Sequence, residues 1–218
     1  MHNSHPDLWQ CHICKQMRHA MGARMKNVGI VLLAAGNSKR YGGIKLLDTM
    51  DGKKMYLHIF DHIREISGLT KVVVTQYEEI YERALEYGYY PVKNPEPDLG
   101  ISHSIHLGLR KILEIEPNID GVLFSVCDQP YLKRSTLEHL INNYIISEKE
   151  LASVVYEDTL GNPCIIGKKY FLDLFALDGD IGGKKVIKEH LDDVELIMAE
   201  DEKELIDIDI KQRVIDER

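Results

Sequence analysis

From residue 28 onward, short apolar runs alternate with longer stretches whose apolar residues recur at helical spacing, and this alternation restricts the fold more tightly than any other feature. The runs Gly29–Leu33, Lys71–Thr75, Gly121–Val126, Ala152–Tyr156, Pro163–Ile166 and Val194–Met198 have the length of strands, and several show no polar face. Strands of that kind are buried on both sides, as happens when helices cover both faces of a mainly parallel sheet. Helical periods fall at Tyr56–Ile66, Glu78–Tyr87, Ser102–Ile115, Ser135–Ile146, Lys169–Phe175 and Lys184–His190. The pattern predicts an α/β fold of three layers, Rossmann-like, with a mostly parallel sheet, helices on both faces and right-handed crossovers. Ligands of such sheets bind beyond the carboxyl ends of the strands, where the strand order reverses.

Residues 25–218 suffice for one domain of this kind with a full core, and a second large domain would be cramped. Residues 1–24 read differently, being rich in His, Met and Cys without an apolar period, and Met25 stands directly before the first strand. A disordered extension or an upstream start is expected there. Cys11, His12, Cys14 and His19 offer metal donors, but the spacing lacks the second paired half of a closed zinc site. Four cysteines and no charged-then-apolar leader argue against a disulfide framework and export, so the expected compartment is the cytoplasm. A net charge of −8 repels polyanions, and no apolar run has the length of a membrane span. Neither nucleic acid nor membrane is an expected partner.

The first apolar run empties into Leu33-Ala34-Ala35-Gly36-Asn37-Ser38-Lys39-Arg40-Tyr41-Gly42-Gly43-Ile44-Lys45. Gly36, Gly42 and Gly43 let backbone N–H groups turn toward a ligand without Cβ clashes, while Lys39, Arg40 and Lys45 bring three positive charges. Glycines at strand-to-helix turns are common and surface cations ordinarily just face water, but the combination suits a phosphate-binding loop. It is not a P-loop, since no Gly-Lys-Ser/Thr follows, nor does it carry a Gly-x-Gly-x-x-Gly fingerprint.

A second loaded segment, Cys127-Asp128-Gln129-Pro130, follows the run Gly121–Val126. Pro130 keeps Gln129 out of helical geometry, which turns the Asp128 carboxylate out at the strand end. Alone, Asp128 reads as a turn or cap aspartate. Beside a phosphate loop it is the acceptor-only group that anchors Mg²⁺, an ion bound through one or two carboxylates plus substrate phosphates. Late in the chain, Asp207 and Asp209 alternate with isoleucines and share one side, which by itself reads as a solvated strand face.

Taken in order, Leu33-Ala34-Ala35-Gly36-x-Ser38-x-Arg40-x-Gly42-x-x-Lys45, Asp128-Gln129-Pro130, Gly161-x-Pro163, Asp180-x-Gly182-Gly183 and Asp207-Ile208-Asp209 resemble the nucleotidyltransferases of molybdenum cofactor maturation. Within that group the chain is most similar to the molybdenum cofactor cytidylyltransferases, because Ala34-Ala35 precedes Gly36 where the guanylyl branch usually has Ala-Gly-Gly. The resemblance covers about residues 27 to 211. It implies a nucleotide-diphospho-sugar transferase-like fold, nucleotide contacts from Leu33, Ala34, Ala35, Gly36 and Ser38, phosphate contacts from Arg40 and Lys45, and magnesium on Asp128 and Asp209. Gly100 to Gly108 resembles the family's Gly-x-x-x-Ser-Leu-x-x-Gly segment, which implies base or ribose contacts from Ser102 and Ser104; helix N-terminal capping explains both serines equally well. Three positions depart from the family pattern: Lys54, His106 and Ile210-Lys211. The last leaves both Asp207 and Asp209 as candidates for the second carboxylate.

The activity so implied is transfer of CMP from CTP to the phosphate of a molybdopterin-type acceptor, with a molybdoenzyme or cofactor-insertion protein as a further partner. A phosphate monoester has its second pKa near ~6 and is largely ionised at neutral pH, so the nucleophile needs no dedicated base. The sequence offers no obvious catalytic His or Cys constellation. Arg40, Lys45 and Asp128 would then act by positioning and charge neutralisation. Competing readings are a guanylyltransferase using GTP, a sugar- or polyol-phosphate cytidylyltransferase, and an accessory protein that binds the cofactor without transfer. The sugar-phosphate enzymes usually carry a Pro before the loop lysine, where this chain has Ile44.

Overall fold

The computed structural model describes residues 25–39 and 41–208. The expected extension at residues 1–24, together with Arg40 and Asp209, lies outside the described residues.

The first strand, β1 (Val28–Ala34), is buried along its whole length. A loop and a short 3-10 turn, Lys45–Leu47, lead to a two-stranded hairpin, β2 (Thr49–Met50) and β3 (Lys53–Lys54). Asp51 and Gly52 both take positive φ there (48° and 83°), the conformation a two-residue hairpin turn requires. Helix α1 (Met55–Arg64), β4 (Lys71–Thr75), α2 (Glu78–Glu86) and β5 (Tyr90–Lys93) follow, then α3 (Ile101–Ile115) and β6 (Gly121–Val126). Beyond these come α4 (Arg134–Ile146), β7 (Leu151–Tyr156), β8 (Thr159–Gly167), α5 (Phe171–Phe175), α6 (Lys184–Glu189) and β9 (Val194–Met198).

Seven strands form one sheet in the order β5-β4-β1-β6-β8-β7-β9. The pairs β5–β4, β4–β1, β1–β6 and β7–β9 are parallel, and β8 runs antiparallel to both its neighbours. The predicted mostly parallel α/β sheet is therefore observed, with one reversed strand. On one face Ile30, Leu32, Ala34 and Val73 pack with α1, α2 and α4 through Tyr56, Phe60, Ile80 and Leu140. On the other, Val31, Leu33, Val72 and Val74 pack with α3, α5 and α6 through Ile105, Leu109, Leu174 and Val186. Each buried aliphatic side chain contributes about 1.5–3 kcal/mol, so β1 and its two neighbours form the stable centre.

Two elements were not anticipated, β5 and the β2–β3 hairpin. Pro91 argues against a central strand, and β5 is an edge strand paired only with β4, the position in a sheet where proline is tolerated. The predicted strand Pro163–Ile166 extends to Thr159–Gly167, and Pro163 falls where the β7–β8 register shifts.

At the far end of the sheet Asp193 precedes β9. Its carboxylate accepts from Lys169 Nζ at 2.8 Å, Tyr170 Oη at 2.7 Å and the Glu150 backbone N–H at 3.1 Å. Partial burial opposes ionisation, but these donors outweigh it and hold the carboxyl down at about 2, from an ordinary value of 3.8. A depressed carboxyl stabilises the fold above its unfolded value, and that stability is lost as pH falls through the folded value. Asp193→Asn is expected to lower unfolding free energy at pH 7 by about 1–2 kcal/mol. In denaturant titrations the deficit should shrink as pH drops from 3.8 toward about 2.

Candidate active site

β4 follows β1 on one side and β6 lies on its other side, so the strand order reverses between β1 and β6. Beyond the carboxyl ends of these strands lies a cleft of about 430 Å³, lined among others by Leu33, Ala35, Gly36, Ser38, Lys45 and Asp128.

The loop after β1 is fastened from the β4 side. Thr75 Oγ1 donates to the Ala34 carbonyl at 2.9 Å, Gln76 Nε2 to the Ala35 carbonyl at 2.9 Å, and Tyr77 Oη to the Gly36 carbonyl at 2.7 Å. Gln76 Nε2 also reaches Asn37 Oδ1 at 2.8 Å. Burial raises the Tyr77 phenol above its ordinary 10.0, with Ser38 and Lys45 opposing, so it stays a donor at neutral pH. Ser38 takes a positive φ of 52°, and the loop closes around it: the Tyr41 N–H donates to its carbonyl at 2.9 Å and the Lys45 N–H to its hydroxyl at 3.2 Å. That closure turns the Lys45 side chain to Asp128, whose Oδ2 lies 2.5 Å from Nζ. Both side chains are less than a fifth exposed. Asp128 Oδ1 is buried and has no hydrogen-bond partner among the described residues.

The segment from Leu205 to Ile208 brings a second carboxylate, Asp207, toward Asp128, outside the residues that line the cleft. The Ile208 N–H donates to the Asp128 carbonyl at 3.0 Å, and Gln129 Nε2 to the Leu205 carbonyl at 3.2 Å. Asp207 sits between these anchors. Although the residue reaches solvent, the protein around its carboxyl raises the pKa above 3.8, and the negative Asp128 raises it further, against the pull of Lys184, a Gln129 hydrogen bond and Lys45. Among the described residues no group of three His, Cys, Asp or Glu gathers. An unsatisfied Asp128 oxygen and a repelling second carboxylate fit a hard divalent cation that completes its shell with phosphate oxygens and water.

The remaining wall comes from the turn before α3 and the loop before α6, through Pro97, Asp98, Gly100, Ile101, Ser104 and Asp180. Gly100 has φ 84°, and a methyl there would lie 2.3 Å from the Gly179 carbonyl. The Ser102 N–H donates to that same carbonyl at 3.1 Å. Asp98 accepts from Asn37 Nδ2 at 2.9 Å and pairs with Lys39 Nζ at 3.0 Å, which ties this wall to the loop after β1.

The structure thus brings Leu33, Ala35, Gly36, Ser38, Lys45, Ser104 and Asp128 to one cleft. Ala34 is fully buried behind it, and Ser102 is buried and is not among the lining residues. Ser104 Oγ accepts from Asn94 Nδ2 at 3.0 Å. At the departures from the family pattern, Lys54 pairs with Glu79 and His106 Nε2 lies 2.9 Å from the Leu174 carbonyl, both away from the cleft lining. Asp98 and the Thr75-Gln76-Tyr77 braces were missed by sequence reasoning. The position of Thr75-Gln76-Tyr77 just past a strand next to β1 was the available signal.

A glycine-rich cationic loop faces a strand-end aspartate at the switch point of an α/β sheet, where such sheets bind ligands, and the family match makes the chain a nucleotidyltransferase. The MobA-like NTP transferase domain matches residues 30–194, and the chain belongs to that family. No curated protein matches the sequence. Among solved structures, a nucleotidyl transferase from Methanothermobacter thermautotroptrophicus is similar with a TM-score of 0.71 at 20% identity, covering 86% of this chain and 93% of that one. Rv0371C of Mycobacterium tuberculosis H37Rv, complexed with manganese, is similar with a TM-score of 0.64 at 20% identity over 80% and 88% of the two chains. A CMP:2-keto-3-deoxy-manno-octonic acid synthetase complexed with CTP gives a TM-score of 0.62 at 11% identity over 80% and 91%. Among the described residues no helix is long and apolar enough to cross a membrane.

Gly100→Ala tests the wall. Strain at positive φ and the clash with Gly179 are expected to cost about 1–3 kcal/mol of stability. Denaturant unfolding checks that cost, and calorimetric titration with nucleoside triphosphate should show weakened binding.

Proposed function

We propose that this protein transfers CMP from CTP to the phosphate of a molybdopterin-type acceptor and releases pyrophosphate. The observation that carries nucleotidyl transfer is the Lys45–Asp128 pair at 2.5 Å with its unsatisfied second oxygen, set against the glycine-rich loop in one cleft. The choice of CTP is supported by the Ala34-Ala35-Gly36 form of the loop and by the CTP complex of a synthetase of the same fold. The acceptor rests on the sequence resemblance to molybdenum cofactor cytidylyltransferases.

In this reading an oxygen of the acceptor phosphate attacks the α-phosphorus of CTP in line. The new P–O bond forms as the bond from the α-phosphorus to the bridging oxygen breaks, and pyrophosphate leaves with the electron pair. The loop from Ala35 to Ser38 binds the nucleotide, Ser104 lies where the base or ribose enters, and Lys45 and Arg40 neutralise the phosphates. Asp128, with Asp207 or Asp209, would hold Mg²⁺, which when bound supplies positive charge to the triphosphate oxygens. Lys45 is bonded to Asp128, and a triphosphate entering the cleft offers it a competing anion of higher charge. The attacking phosphate is already ionised at neutral pH, so no residue need remove a proton. Catalysis is then orientation and electrostatics.

The deciding measurement is pyrophosphate release from each of the four nucleoside triphosphates, with and without molybdopterin. Release with CTP that depends on molybdopterin is expected. Release with GTP instead would reassign the nucleotide, and binding without release would make the protein an accessory carrier. Asp128→Ala should lower turnover by roughly 10²–10³-fold or more with the fold retained by circular dichroism. Lys45→Ala should chiefly raise the KM for the triphosphate, by about tenfold.

A further inference from the structure

The buried carboxylate of Glu204 has no place in the transfer step, and its surroundings raise the question of what it is for. Glu204 is completely buried. Its Oε2 accepts from the Lys133 backbone N–H at 3.1 Å and from Thr136 Oγ1 at 2.5 Å, and its Oε1 accepts from the Glu200 N–H at 3.1 Å. Lys133 is the residue before α4, and that helix has no side-chain cap of its own at this position. The cap is imported from 71 residues away.

Helix capping alone does not call for this arrangement. A Ser or Asp at position 133 would cap α4 locally without burying a charge brought from elsewhere. Burying a carboxylate is costly unless donors surround it, and here three donors, the Lys133 ammonium 3.9 Å from Oε1 and the positive end of a helix dipole do so. The consequence is that the chain from Glu200 to Ile208 is fixed against the body of the protein at its midpoint.

The rest of that segment runs from this anchor to the turn after β6 that carries Asp128 and Gln129. Leu205 packs on β8 at Gly161, where a methyl would fall 2.4 Å from Leu205 Cδ2. Its carbonyl accepts from Gln129, and the Ile208 N–H donates to the Asp128 carbonyl with Ile208 itself buried. Asp207 lies between these points, next to the Ile208 N–H that is held 3.0 Å from the Asp128 carbonyl, and its negative charge adds to that of Asp128. A chain bringing one carboxylate toward another needs an attachment that opposes the repulsion, and Glu204 supplies it three residues away.

We propose that Glu204 is a positioning residue that latches the 200–208 segment into the N-terminus of α4 and so holds the Asp207 carboxylate beside Asp128 for divalent-cation binding. This rests on the metal assignment of the proposed function, with Asp207 taken as the second carboxylate. It gives the interior of the protein control over cation affinity through a group that touches neither metal nor nucleotide.

The test is Mn²⁺ affinity of the full chain by electron paramagnetic resonance in the presence of CTP, with CTP affinity measured separately in EDTA. Glu204→Gln replaces one acceptor oxygen by a donor and is expected to weaken Mn²⁺ binding five- to fiftyfold while leaving CTP affinity in EDTA unchanged. Asp207→Asn should weaken Mn²⁺ binding by a similar factor, and Glu204→Gln combined with Asp207→Asn should bind no more weakly than Asp207→Asn alone. Thr136→Val, which removes one donor and keeps the carboxylate, should shift Mn²⁺ affinity in the same direction by a smaller factor, and it decides the matter if Glu204→Gln does not fold. Folded Glu204→Gln with parental Mn²⁺ affinity, or a double variant showing the full product of both factors, would overturn the latch. Equal Mn²⁺ affinity in the parent and in Asp128→Asn would instead overturn the metal assignment, and the latch with it.

Discussion

The parallel pairing of β1 with β6 governs the rest of the structure. Its register sets Leu33 opposite Val126, and the Cys127 N–H continues the ladder to the Leu33 carbonyl. Adjacent strands stand about 4.8 Å apart, so whatever follows Leu33 and whatever follows Val126 must meet in one space. The glycine-rich cationic loop follows the first and Asp128 follows the second. The Lys45–Asp128 contact is the local outcome of a pairing made in the core, where Val31 and Leu33 pack on α3 and Ile30 and Leu32 on α1.

Charge in the cleft is balanced from within. Lys45 is matched by Asp128 and Lys39 by Asp98, although the chain as a whole carries a net charge of −8. The two pairs differ in kind: Lys39 and Asp98 are exposed and screened by water and salt, whereas Lys45 and Asp128 are largely enclosed and interact strongly. The pair at the rim is thus open to solvent and the pair at the centre is enclosed. Asp128, the acid of the enclosed pair, keeps one oxygen without a hydrogen-bond partner among the described residues.

Much of this was legible in the residues. Strand runs such as Val28 to Leu33 and Gly121 to Val126 are unbroken and apolar because both faces are covered, and Gly36, Lys45 and Asp128 fall at their ends, where α/β sheets bind ligands. Less visible was β5, because Pro91 weakens a strand pattern unless the strand lies at an edge, and position in a sheet is not a local property. Asp51-Gly52 is a hairpin signal, but the two-residue strands beside it are too short to show a period. Ser102 and Ser104, two residues apart in a helix, project to opposite sides, and the packing of α3 in the fold sets Ser104 toward the cleft while Ser102 is covered.

The sequence by itself determined which residues are chemically equipped: a flexible cationic loop after one strand, a carboxylate after another, and the alternation that makes both strand ends. The tertiary structure decided which of them act together. Glu204 stands in the acidic run Asp201-Glu202-Lys203-Glu204 and looks like any solvated glutamate, yet it is the fully buried member that fastens the 200–208 segment to α4. The physical reason is one of range. Propensity and period act over a few residues, whereas ion pairing, desolvation and capping depend on which distant segments the core forces into contact.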